Sequence, residues 1–274
     1  MDRPLRLRAE AWITAARLRR KRGKPSIEDW EARKSAWLAE HAGGRSFADI
    51  GGLLIEGRTS FAAEDAGATE VTLFDVGDKE YMPGYLAEHE RRGSKVRYVQ
   101  GDLHDPVAVA QVGPHDVVWC TGVLYHTPHP VDQLIALRTI TRELLYLGTH
   151  TIPEVPGLPQ ACLFYPHLDA PTRRALSRAY ATAEGYLGVG PPIDERPMHG
   201  YANFWWGMTP SALRAMLATA RFEVVDEIRT HASPWQTELV CRPADEEPLL
   251  PEPAYFRSRR EARDRGEEPP AWPE

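Results

Sequence analysis

Short apolar runs at 47–50, 70–75, 95–100, 115–120 and 143–148 alternate along the chain with stretches at 57–66, 80–92, 105–111 and 130–142 whose apolar residues recur at helical spacing. Near-continuous apolar runs are what strands buried on both faces require, and helices between them supply the crossovers that parallel strands need. The pattern predicts an α/β, Rossmann-like fold: a mostly parallel sheet with helices on both faces. Residues 151–208 break the rhythm with many Pro, Gly and aromatic positions and read as an inserted lid. An amphipathic helix at 210–220 follows the cap Thr209. Two further runs, 222–230 and 236–242, are joined by a segment too short for a helical crossover, so they form an antiparallel hairpin that completes a seven-stranded sheet. Ahead of the first strand, 1–44 reads as a helical cap of two helices broken at Gly23-Lys24-Pro25, the second started by Ser26 with Asp29 three residues on. The main domain is then 45–242, and 243–274 is a Pro, Glu and Arg-rich tail, a surface strap or disordered.

Composition narrows the class. A chain of 274 residues with 42% hydrophobic residues can bury one substantial core plus an elaboration. No run approaches the roughly 18 apolar residues of a membrane span, and Met1-Asp2-Arg3-Pro4 lacks a signal-peptide core, so the expectation is a cytoplasmic protein without membrane contact. Cys120, Cys162 and Cys241, scattered and odd in number, form no disulfide framework or metal knuckle and read as buried small apolar residues. The net charge of −6 conceals a basic segment: residues 1–24 hold nine Lys or Arg against two acids. Such an arm can grip phosphates. Its Leu5, Leu7, Trp12, Ile13 and Leu18 fall near helical spacing, which favours a packed helix with a solvated basic face.

The candidate chemistry begins at Phe47-Ala48-Asp49-Ile50-Gly51-Gly52, with Gly57 a few residues on and Phe74-Asp75 closing the next strand. An apolar strand ending in Asp-x-Gly lets the backbone turn tightly under a ligand, and a carboxylate ending the second strand can accept from both hydroxyls of a ribose. The turn lacks the three close glycines that suit a pyrophosphate, so a nucleoside without phosphates fits better.

In this order and spacing, with the terminal hairpin, the chain resembles class I S-adenosylmethionine-dependent methyltransferases over about residues 46–242. The resemblance implies that Asp49, Gly51 and Gly57 lie near the methionine end of the cofactor. It implies also that Asp75 takes the ribose hydroxyls, and that Gly101-Asp102-Leu103 meets the adenine, Asp102 accepting from its amine and Leu103 offering a backbone N–H. Leu53 and Ile55 stand where the family's later glycines fall, and Gly57 fits only with a two-residue insertion. Gly122-Val123-Leu124-Tyr125-His126 and Met208-Thr209-Pro210-Ser211-Ala212-Leu213 are similar to the branch containing the tRNA wobble-uridine carboxymethyltransferase. By that likeness Tyr125 contacts the group on the cofactor sulfur, beside Thr121 at the end of strand four, and Trp30 and Lys34 line the same pocket.

Methyl transfer asks a protein mainly to hold two reactants about 3–3.5 Å apart in a dry pocket. Where the acceptor carries a proton, a base takes it. His126, where strand four opens toward the cofactor, is the first candidate, with Tyr125 beside it and His150 at the end of strand five. Glu154 can orient an acceptor from the same crevice. The insertion is dense in aromatic residues, among them Phe164, Tyr165, Phe204, Trp205 and Trp206; Tyr201, Trp205 and Trp206 are the candidates to reach an apolar or planar acceptor. No metal is expected, since none of the His and acid pairs has a ligand spacing. Three readings follow: methylation of oxygen or nitrogen on a small, specialised-metabolite acceptor; modification of a tRNA wobble uridine; and a non-catalytic cofactor-binding protein. Oligomeric state leaves no trace in the sequence.

Overall fold

A computed structural model describes residues 27–166, 204–228 and 236–245, with isolated positions at 171, 262 and 265–268. The basic arm, the start of the N-terminal cap, most of the insertion and nearly all of the tail lie outside the described residues, as does Tyr201.

The sheet has seven strands: β1 (Ser46–Ile50), β2 (Glu70–Asp75), β3 (Arg97–Gln100), β4 (His115–Thr121), β5 (Thr141–His150), β8 (Phe222–Glu227) and β9 (Gln236–Pro243), ordered β3-β2-β1-β4-β5-β9-β8. The first five are parallel; β9 runs antiparallel to both β5 and β8. Six helices are described: α1 (Ile27–His41), α2 (Arg58–Asp65), α3 (Pro83–Arg92), α4 (Pro106–Val112), α5 (Pro130–Ile140) and α6 (Pro210–Thr219). A separate pair, β6 (Cys162–Phe164) and β7 (Trp206–Met208), forms a small antiparallel sheet.

Every residue of β1 is buried, and its side chains alternate between two cores. Phe47 joins Leu73, Val117, Trp119 and Tyr146 under α1 to α3, whereas Ala48 and Ile50 join Phe74, Val118 and Cys120 under α4 to α6. In the first layer Trp119 stacks on Tyr146 at 3.8 Å, and Trp37 of α1 meets both rings. The second half of the N-terminal cap is therefore fastened to the sheet by aromatic contact. Helix starts follow local chemistry: Asp105 accepts from Val107 N at 2.9 Å and Thr209 from Ala212 N at 3.2 Å, each followed by a proline at the first helical position.

Some expectations need correction. The helix expected at 130–142 ends at Ile140, and β5 begins at once with Thr141, which pairs with His115. Residues 53–55, read as a departure from a glycine turn, form a 3₁₀ turn of their own. Cys120 and Cys241 are buried free thiols, as expected, but Cys162 is exposed, because β6 lies on the surface outside the main sheet.

Candidate functional site

The order of the sheet reverses between β1 and β4, since the chain leaves β1 toward β2 and β3 and returns on the other side. In open α/β sheets the loops diverge there and leave a crevice at the carboxyl ends of the strands. A cleft of about 390 Å³ occupies this position. Small-molecule sites span about 300–1,000 Å³, so one nucleoside-sized ligand can be held. Its walls come from four strand ends: Ile50, Gly51 and Leu54 after β1; Phe74, Asp75 and Val76 after β2; Gly101 to His104 after β3; and Gly122, Val123, His126 and Thr127 after β4. Pro128, Gln133 and Trp205 complete it.

Asp75 is the anchored acid of the cleft. Its Oδ2 accepts from Leu53 N at 3.0 Å and its Oδ1 from Gly77 N at 2.9 Å. Each oxygen keeps a second lone pair for a ligand hydroxyl. Burial raises its pKa, and the two N–H donors oppose that rise. Leu53 thus meets Asp75 through its backbone, so a leucine in place of the expected glycine does not interrupt the loop. The turn is closed by Gly51 at φ 80°, where an added Cβ would run into Val123.

Asp49 shapes the loop from below. It is 1% exposed, accepts from Ser60 Oγ at 2.8 Å, and fills the space that a Cβ on Gly52 would need. Burial pushes its pKa up to about 7, with Asp75 adding to the rise while Ser60 and Lys34 oppose it. Lys34 on α1 is half-buried, its Nζ 5.3 Å from the centre of the Trp119 ring. Trp30 lies on the same helix, one turn earlier. Gly57 serves packing instead of the cleft: it starts α2 at φ 69°, and a Cβ there would strike the Tyr85 ring.

At the other end, Asp102 Oδ1 accepts from His104 N at 2.9 Å, Leu103 is buried, and His104 Nε2 meets Thr127 Oγ1 at 2.7 Å. That last contact ties the loop after β3 to the loop after β4 across the cleft. Val76, His104 and Thr127 escaped the sequence reading; the only local hint was Thr127 before a proline, where its hydroxyl accepts from His129 N.

The 3₁₀ turn Leu124–His126 carries Tyr125 and His126. Tyr125 packs 4.3 Å from Phe204 and 5.9 Å from His150, and His126 lies 5.4 Å from Phe204. Trp205 N donates to Tyr125 O at 2.8 Å, which brings the insertion's aromatic residues to the cleft wall. Trp206 instead donates through Nε1 to Pro128 O at 3.2 Å and so braces the loop. Thr121 ends β4 with its hydroxyl accepting from Trp119 Nε1 at 3.2 Å. Glu154 lies outside the cleft: its oxygens accept from Ser211 N at 2.7 Å and Ser211 Oγ at 2.8 Å, so the expected acceptor contact is a clamp on the start of α6. Among the described residues no group of three or more His, Cys, Asp or Glu is placed to hold a metal ion, and no helix is long and apolar enough to cross a membrane.

S-adenosylmethionine fits these residues. A backbone floor at Gly51, a carboxylate anchored by two N–H groups beside it, apolar walls from Phe74, Val76 and Leu103, and a second carboxylate at Asp102 match a ribose and an adenine in turn.

Comparison with known proteins agrees on the architecture. No protein-family model matches the chain. It is 25% identical over 126 residues to the ubiquinone biosynthesis O-methyltransferase of Acinetobacter baylyi, a match that covers 44% of this chain and 50% of that protein, so the chain matches about half the relative's length. It is similar in structure to the Burkholderia thailandensis 1,6-didemethyltoxoflavin-N1-methyltransferase, solved with 1,6-didemethyltoxoflavin and S-adenosylhomocysteine, at a TM-score of 0.52 and 18% identity over 78% of this chain and 77% of that one. It is also similar to the N-terminal domain of EvdMO1, solved in the presence of S-adenosylhomocysteine and D-fucose, at 0.51 and 19% over 90% and 98%. The chain has the Rossmann-like class I methyltransferase fold.

Proposed function

We propose that this protein is an S-adenosylmethionine-dependent methyltransferase acting on an oxygen or nitrogen of a small, specialised-metabolite acceptor. The carrying observation is Asp75, anchored by two backbone N–H groups at the rim of the switch-point cleft. The similarity to proteins named as toxoflavin-precursor and ubiquinone-pathway methyltransferases supports a small acceptor. When bound, S-adenosylmethionine supplies a methyl group on a positively charged sulfur and becomes S-adenosylhomocysteine once that methyl has moved to the acceptor. In this reading Asp75 holds the ribose, Asp102 and Leu103 the adenine, and Gly51 the approach to the methionine end, with Lys34, Trp30 and Thr121 toward that end. Tyr125, Phe204 and Trp205 exclude water and seat the acceptor. His126, which lines the cleft, takes the acceptor's proton and passes it to solvent.

Thermal unfolding with S-adenosylhomocysteine tests the proposal. A ligand at about a hundred times its dissociation constant stabilises a fold by about 2.7 kcal/mol. The wild type should show that rise and Asp75→Ala should lose it; no shift in the wild type sinks the reading.

A second reading, modification of a tRNA wobble uridine, is supported by the Gly122 to His126 and Met208 to Leu213 likenesses and by the basic residues of 1–24. Binding to tRNA that weakens steeply with salt would favour it.

A further inference from the structure

The turn after β2 carries the anchored acid of the cleft, and side chains of β3 hold that turn from outside the cleft. Gly77 N donates to Asp75 Oδ1 at 2.9 Å. The carbonyl of the same glycine accepts from the hydroxyl of Tyr98, a residue of β3 whose phenol oxygen also lies 3.4 Å from Asp75 O. A carbonyl only accepts, so the phenol is the donor and the direction of the bond is fixed. Burial raises the pKa of Tyr98, with Asp75, Asp78 and Tyr85 adding to the rise, so the hydroxyl keeps its proton. Two residues along β3, Gln100 Nε2 donates to Val76 O at 3.3 Å. The peptide unit whose N–H holds Asp75 is therefore held at its own carbonyl by Gln100, and the next unit is held at its carbonyl by Tyr98. The Tyr98 ring packs against the aromatic layer of the sheet, 6.2 Å from Tyr85, and Lys79 Nζ lies 5.8 Å from its centre. Gly77 is crowded as well: a Cβ there would meet Leu53 Cδ2 at 3.0 Å and Asp75 Oδ1 at 3.3 Å.

We propose that Tyr98 is a positioning residue for ribose recognition: it stops Gly77 from turning, so that Asp75 Oδ1 keeps one lone pair on Gly77 N and offers the other to a ribose hydroxyl. A glycine without such an anchor rotates freely about φ and ψ, and the N–H that orients the carboxylate turns with it. Asp75 would then present its oxygens in several directions, and a diol needs them in one. The ligand class that this arrangement selects is a nucleoside with both ribose hydroxyls in place, over one that lacks the hydroxyl Oδ1 receives. The inference rests on the methyl-transfer reading of the same cleft.

The test uses the full chain and Tyr98→Phe, which removes the hydroxyl and keeps the ring against Tyr85. In the ligand-free protein, amide exchange followed by NMR should be faster at Gly77 in the variant than in the wild type. Calorimetric titration with S-adenosylhomocysteine at neutral pH should show about tenfold weaker binding to the variant. With the 2′-deoxy or the 3′-deoxy analogue, whichever lacks the hydroxyl that Oδ1 holds, that difference should shrink to about twofold or less, because the contact Tyr98 supports is already gone. Equal losses with S-adenosylhomocysteine and with both analogues mean that Tyr98 acts on the fold at large, which overturns the positioning role. Unchanged exchange at Gly77, or unchanged affinity for S-adenosylhomocysteine, overturns it as well. Failure of S-adenosylhomocysteine to bind the wild type overturns the methyl-transfer reading and the ribose consequence together, while exchange at Gly77 still decides whether Tyr98 holds the turn.

Discussion

Asp49 is the residue at which burial and ionisation meet. It lies under Gly52, bonded to Ser60, with a folded-state pKa of about 7 against 3.8 for an unperturbed aspartate. Below 3.8 both folded and unfolded chains hold the proton, and above about 7 both have lost it. Between those limits the folded chain binds a proton that the unfolded chain has released, so this group's contribution to stability falls as pH rises through the window. Asp75, shifted in the same direction, adds to that slope. Asp49→Asn keeps an acceptor for Ser60 and removes the titration, so the variant should gain on the wild type between pH 5 and pH 8 in urea midpoints. A constant difference across that range would show that Asp49 ionises normally in the fold. The sequence disclosed the identity of Asp49 and Asp75 because strand-ending acids stand out against apolar runs. It could not disclose that one carboxylate lines the cleft while the other shapes the loop from beneath, a division set by one residue's direction along alternating strands.

Among the elements, α6 depends on a residue distant in sequence. Its first turn has Thr209 as a local cap, and Glu154 reaches in to accept from Ser211 N and Oγ. A carboxylate at a helix start satisfies an orphan N–H and meets the positive end of the macrodipole. Glu154→Ala should cost about 1 kcal/mol in chemical denaturation and leave stabilisation by S-adenosylhomocysteine unchanged. A loss of ligand response would return Glu154 to the site. Strands were the legible elements: 70–75 is read to the residue, because buried parallel strands are apolar runs bounded by polar turns. The junction of α5 and β5 was not, since Thr141-Arg142-Glu143 is as polar as a helix end and no loop separates the two. The β6 and β7 pair escaped because three residues are too few for an alternation to stand out from its surroundings. With it went the placement of Tyr165, Phe204 and Trp205, which only a non-local pairing brings to the wall.

At the scale of the whole molecule, two concave regions among the described residues can be weighed as ligand sites. One is the switch-point cleft. The other, about 380 Å³, lies among Glu56, Arg58, Phe61, Glu88, Arg91 and Arg92, outside the strand ends. There Glu88 is held by Arg91 at 2.6 Å and by Arg92 at 2.5 Å, while Arg92 also pairs with Asp65 at 2.7 Å. These charges already satisfy one another, and the Arg92 guanidinium lies 5.1 Å over the Phe61 ring, so an adenosine would have to displace ion pairs to reach the one aromatic face there. The cleft instead offers backbone glycines, an anchored carboxylate and apolar walls at the point where the topology parts its loops. Amide hydrogen exchange distinguishes the two, because a bound ligand slows local opening of the segments it contacts. S-adenosylhomocysteine should protect amides in 51–54, 75–78, 101–105 and 122–127 and leave 84–92 and the β8 edge unchanged. The protected segments come from four loops widely separated in the chain, so their joint response reports the crevice and not any single turn. Protection confined to 56–65 and 84–92 would move the binding site to the charged groove and remove the chemical role of every strand-end residue assigned to the cleft.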